Sequence, residues 1–370
     1  MKRDKLIDIV KAIGIISIVI GHSAWSVTKL DIKIGPFVYM YHLIIFIFTA
    51  GYMFPAEKIK NKDEMYKYIG KHFYKLMVLY FFYNLIFVIL HNYLIKINII
   101  NASLYTTESI WVNCLNGIAF NTNEQMLGAF WFVPMLLFTE ILFVISINII
   151  NKFNNNKYLY IIFPLIFAIT GTTLCEEDIN LAFNMEISIL GVPFMYIGML
   201  AKKYWKNIEK YIFTFGWIIS ASILGMIINM KIGTIELARN QIISPVWFYL
   251  ISIVGIYFCL SLAKMFNKMN FVGKSMSYIG KNSFHIMALH FLTIKIIDII
   301  YSKINNIKDI YRISAFPNSY SNKLWIVYIV VGTGLPILLI FLIKKIIQNI
   351  KKGSEKYEEY AINKYNNTNI

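Results

Sequence analysis

The chain has 370 residues, 58% of them hydrophobic and only 15% charged, with a formal net charge of +16. A soluble domain carries about 25% charged residues, so this composition excludes an ordinary water-soluble globular fold. The basic excess then calls for a membrane explanation before a nucleic-acid one, and no nucleic-acid partner is expected.

The first apolar segment, Leu6–Val27, contains Asp8, Lys11 and His22. In a helix, eleven steps of 100° end about 20° from the start, so Lys11 and His22 share a face, roughly 16 Å apart along the axis. Asp8 lies near the same stripe, three residues before Lys11, where an ion pair is geometrically easy. Ionisable groups within an apolar span are costly and by default point to a functional site.

The second segment, Ile34–Phe54, carries His42 in the half adjoining the end of the first. His22 and His42 are therefore expected at similar depth, meeting across a short hairpin. A neutral imidazole accepts a proton from a hydroxyl, as a general base must. The competing reading is a structural pair bonding between helices. The third segment, Leu76–Ile95, is preceded by Lys71 and Lys75. That spacing of four puts both ammonium groups on one face, where they suit a phosphate or simply snorkel at the membrane boundary.

Seven more spans follow: Ala129–Ile150, Tyr158–Leu174, Leu181–Ala201, Tyr211–Met230, Ser244–Ala263, Asn282–Ile300 and Leu324–Ile343. Each approaches the 20 or so residues that cross a bilayer. The expected fold is all-α, a polytopic membrane bundle of about ten transmembrane helices. Glu140 and Glu186 lie within spans, where each could orient a histidine, bind a sugar hydroxyl or pair with Lys295. For His285 and His290 a structural role is favoured. Phe130, Trp131 and Phe132 open a span where an interfacial aromatic belt is expected without any ligand.

With the N-terminus inside, 25 of the 36 Lys and Arg fall on inner segments and 9 on outer ones, Lys11 and Lys295 lying within spans. This asymmetry predicts a cell-membrane protein with both termini cytoplasmic. The chain divides into a membrane domain, 1–343, and a charged cytoplasmic tail, 344–370, whose polar tip is expected to be disordered. The longest outer loop, about Lys96 to Gly128, has room for a short surface helix. No Cys/His spacing suggests a zinc site, and no metal is expected.

The motifs in order, Asp8-Ile-Val-Lys11 followed by His22, His42 before a Phe-rich run ending at Gly51, the Lys71/Lys75 pair, Trp131-Phe-Val-Pro134, and Gly280, Lys281 and Ser283 leading to His290, resemble the acyltransferase type-three family of integral-membrane O-acyltransferases, in its fucose-acetylase-like branch. The resemblance covers about Leu6 to Ile343. It departs in having Lys for Arg at three positions, which keeps charge but loses the planar bidentate fork. It implies acetyl transfer from acetyl-CoA to a hydroxyl of a carbohydrate or glycolipid acceptor at the cell envelope. Carried onto this chain, it gives His22 as general base or transient acyl carrier, Asp8 and Lys11 as its support, His42 as its orienter or the acceptor's, and Lys71 and Lys75 as holders of the CoA phosphates. The rival expectations are an exporter of polysaccharide or lipid-linked sugar, which would favour inverted repeats with matched broken helices, and a non-catalytic partner of a glycan synthase.

Overall fold

A computed structural model describes residues 4–25, 27–29, 32–59, 61–153, 156–307 and 321–368. Helix α1, Lys5–Ser23, starts where the Asp4 side chain accepts from the backbone N–H groups of Leu6 and Ile7, satisfying donors that a helix start leaves open. The bundle's near end is defined here by Lys5 and its far end by Ser23. At the far end a two-strand hairpin, Thr28–Lys29 against Ile32–Lys33, turns the chain back.

The second span, Ile34–Met53, is one crossing with a turn inside it. Helix α2, Ile34–Tyr39, and helix α3, Ile44–Met53, flank a turn at 40–43 that contains His42. Helix α4, Lys62–Lys96, is capped by the Asn61 side chain, with Asp63 and Glu64 in a first turn whose dipole favours them. Its 35 residues extend about 52 Å. Helix α5, Thr107–Ile118, lies in the long far-end loop, where the sequence leaves room for it.

Helices α6, Phe132–Lys152, α7, Leu159–Glu176, and α8, Met185–Lys203, then cross in turn. Entry into α8 passes through left-handed Phe183 and Asn184, and the Glu186 carboxylate accepts from the Leu181 N–H at 2.9 Å. Glu186 thus ties down the kink before its own helix. Short α9, Trp205–Ile208, leads into α10, Gly216–Asn229. Helix α11, Pro245–Lys268, has Pro245 at its start, where the missing N–H costs nothing. Amphipathic α12, Asn270–Lys281, leads to α13, Ser283–Ile304, and α14, Ser321–Thr368. The helical backbone of α14 continues past the predicted span through Thr368, and Asn369 and Ile370 lie outside the described residues.

Among the described residues nine segments are long and apolar enough to cross a membrane. The expected seventh span differs: Trp205–Tyr211 and Gly216–Asn229 meet at a 74° bend, so it makes a tenth crossing only if the bent pair is counted as one. Gly216–Asn229 alone is about 21 Å long, short of a 30 Å hydrocarbon core. The arrangement is an all-α polytopic bundle of a multi-pass membrane protein.

Helix α1 is the centre. In its most apolar stretch 72% is buried, against 17% in α7. Ile161, Ile166 and Ile169 on α7 and Ile89 on α4 are exposed, as lipid-facing side chains are. Close approaches through small residues hold the interior: a methyl group on Gly51 or Gly198 would run into the facing backbone of α8 or α3. Likewise Gly280 lets α12 lie directly on the Asp8 carbonyl of α1.

Candidate functional site

At the far end, α1 presents His22 and Ile18 to a small pocket that is partly open to the outside. The second span supplies Tyr39, His42 and Leu43. Trp131 and Phe132, at the start of α6, form another wall, with Met287 of α13 and Leu237 and Ala238 of the α10–α11 loop completing it. Tyr41 is buried, accepts from the Ser17 hydroxyl of α1 at 3.1 Å, and lies where a side chain at Gly255 of α11 would otherwise go. Tyr41, held between α1 and α11, lies within the turn, and His42 next to it lines the pocket.

His42 is buried, and its Nδ1 donates to the Val38 carbonyl at 3.0 Å. Because the partner is an acceptor, Nδ1 carries the hydrogen and Nε2 keeps a lone pair. His290, behind the pocket, has the same arrangement: Nδ1 donates to the Met287 carbonyl at 2.8 Å, and its buried Nε2 has no hydrogen-bond partner among the described residues. The His290 ring stacks on His22 with centroids 5.4 Å apart, and Phe291 lies 4.8 Å from His22. Three imidazoles therefore converge at one depth, two of them with their tautomer set by the backbone of their own segment.

The other predicted site residues are elsewhere. Asp8 and Lys11 lie toward the near end of α1. Asp8 is buried and accepts from the Ser277 hydroxyl of α12 at 3.3 Å, and Lys11 is half-buried. Lys71 and Lys75 are exposed on α4. Between the two levels the Tyr83 hydroxyl of α4 bonds to Nδ1 of His285 at 2.8 Å. Counting helix steps from that contact, Lys75 lies eight residues toward the near end and His290 five toward the far end. The histidine cluster and Lys75 are thus at different levels of the bundle. The structure joins His22 with His42 in one pocket and leaves the lysines and Asp8 at the opposite level.

Of the acidic residues weighed as partners for a histidine, Glu140 faces His72 of α4 at 3.4 Å, a residue the sequence does not single out, while Glu186 caps its kink. Lys295 is buried beside Asp298, which accepts from the Tyr328 hydroxyl of α14. Sequence reasoning missed Trp131 as a pocket wall and the whole Leu237–Ala238 contribution. The available signal was the isolated Arg239 next to them, in a chain whose basic residues are otherwise nearly all lysine.

The acyltransferase 3 family model, an acyltransferase domain, matches residues 4–345. The chain belongs to the acyltransferase 3 family. No curated protein and no solved structure gives a significant match. Membership over nearly the whole chain makes this a membrane acyltransferase, so its pocket is to be read for acyl transfer, needing an acyl donor and an acceptor, rather than for export alone.

Proposed function

We propose that this acyltransferase moves an acetyl group from cytoplasmic acetyl-CoA to a hydroxyl of a cell-surface polysaccharide or glycolipid precursor. The supporting observation is the pocket itself, with His22 and His42 on one wall, at the opposite level from the lysines of α4. In this reading the near end is cytoplasmic, in keeping with the charge asymmetry of the loops. Lys71 and Lys75 hold the CoA phosphates, which cannot enter lipid unpaired. The extended pantetheine arm passes along α1 beside Lys11 toward His22, with Asp8 fixing that helix against α12.

In the pocket His22 takes the proton of the acceptor hydroxyl. The hydroxyl oxygen attacks the acetyl carbonyl, the carbon–sulfur bond breaks, and the leaving thiolate receives the proton from His22. The products are an acetyl ester and CoA thiol, with no other reactant needed. His42 presents Nε2 as a second acceptor that positions the hydroxyl.

The test uses sealed vesicles with the protein in one orientation, labelled acetyl-CoA on the near-end side and acceptor on the other. Ester is expected on the far-side acceptor. His22→Ala should lower its formation by about 10²–10⁴, the usual worth of a general base, without loss of protein from the membrane. Ester confined to a near-side acceptor sinks the cross-membrane arrangement, and undiminished transfer by His22→Ala sinks the assignment of the base.

A further inference from the structure

The roof of the pocket is a built element. Glu236 and Gln241 exchange backbone hydrogen bonds of 2.9 and 3.1 Å, and between them Leu237–Arg239 make one tight turn closed by Asn240 at φ 56°. The Asn240 side chain donates to Oδ1 of Asn180 at 2.8 Å, across to the loop before α8. Leu237 is 5% and Asn240 6% exposed, so the hairpin is packed into the protein on both sides of its tip. Leu237 and Ala238 face the pocket, while Arg239 next to them is 71% exposed and its Nε lies 3.3 Å from Oε1 of Glu236.

Two features give this rim a ligand chemistry. First, of 36 basic residues only Arg3, Arg239 and Arg312 are arginine. Where lysine serves nearly everywhere, arginine supplies what lysine lacks, a planar fork of several donors. With Nε on Glu236, the Nη groups remain to donate to a pair of neighbouring oxygens. Second, the pair sums to zero charge, and the pocket that its hairpin lines through Leu237 and Ala238 also has Trp131, Phe132 and Tyr39 in its walls. Apolar ring faces with a few fixed polar groups at the edge suit a neutral polyhydroxylated ring better than an ion.

We propose that the Glu236–Gln241 hairpin forms a sugar subsite that selects the acceptor. A neutral pyranose lies against Trp131 and Tyr39. Arg239 donates to, and Glu236 accepts from, the hydroxyls flanking the one presented to His22. This rests on reading the pocket as the acceptor site and names the unit it recognises.

The test uses full-length protein in nanodiscs and a panel of simple methyl glycosides. Binding is followed by thermal stabilisation and tryptophan fluorescence, and acetyl transfer is measured in parallel. At least one glycoside should bind the wild type. Arg239→Ala and Arg239→Lys should each weaken that binding by about tenfold, the worth of a charge-assisted hydrogen bond, while KM for acetyl-CoA stays within about twofold. Arg239 is largely exposed, and the lysine variant keeps the charge, so loss of fold does not imitate this result. The subsite is overturned if both variants bind like wild type, if KM for acetyl-CoA rises in parallel, or if the wild type binds no glycoside. Arg239-dependent binding without any acetyl transfer upholds the subsite and sinks the acetyl-transfer reading instead.

Discussion

Replacing Gly280 by alanine tests how tightly α1 and α12 are joined. The added methyl group would fall on the Asp8 carbonyl and close to the Ala12 backbone N, and neither backbone can swing aside as a side chain would. Overpacking of this kind costs about 1–3 kcal/mol, while alanine in a helix regains about 0.5–1 kcal/mol over glycine, leaving a net loss of up to about 2.5 kcal/mol. The helices would have to part, lengthening the 3.3 Å Ser277–Asp8 hydrogen bond. Gly70→Ala on α4 is the matched control: nothing lies within 4 Å of the new methyl, so only the gain of about 0.5–1 kcal/mol remains. Thermal unfolding of the two variants in the same detergent should place Gly280→Ala below wild type and Gly70→Ala at or above it. Coincident unfolding curves would refute the close contact and with it the anchoring of Asp8 by α12.

Glu substitution of both Lys71 and Lys75 should raise KM for acetyl-CoA by tenfold or more without weakening acceptor binding, read by initial rates at varied donor; equal loss for both substrates would place the lysines in a structural role. Reporter fusions after Asn180 and after Lys203 should report outside and inside respectively, and a reversal at either breaks the assigned orientation. Glu124→Ala should free the α4–α5 loop to proteolysis and cost about 1–3 kcal/mol, because it leaves the buried His91 without its partner at Nδ1, 3.0 Å from Glu124, while Nε2 donates to the Ser103 carbonyl. The Tyr105 ring stacks on His91 at 3.5 Å, and burial together with the Glu124 carboxylate pushes its hydroxyl pKa up, so Tyr105 should stay un-ionised into strongly alkaline solution by ultraviolet titration.

The spans were legible because hydropathy over 20 residues is a strong signal, and the shared depth of His22 and His42 follows from a short connection between two spans. The turn at 40–43 was not. Tyr39-Met40-Tyr41-His42 holds no Gly or Pro, and the turn coincides with a tertiary feature, the grip of Ser17 and α11 on Tyr41. The bend before Gly216 was hidden for a similar reason: Tyr257 of α11 donates to the Tyr211 carbonyl and accepts from the Phe213 N–H, and that long-range bonding has no local signature. In the site, the histidines stood out as polar residues in apolar runs. Trp131 did not, since a belt tryptophan and a pocket tryptophan look alike in sequence. The 236–241 hairpin has no periodicity to read, and only its folding brings Ala238 to the pocket that His22 lines.

The length of α4 makes lipid composition a variable of this enzyme. At about 52 Å it is longer than a 30 Å hydrocarbon core, and its first turns run beside the near half of α6, where His72 meets Glu140. A helix cannot shorten to suit a thinner membrane or stretch to suit a thicker one; it answers mismatch by tilting. Tilt of α4 against α6 shifts its exposed face, with Lys71 and Lys75 on it, whereas His22 sits on the buried central helix. Bilayer thickness thereby sets the lateral offset between the two ends of the route along which the acyl group would travel.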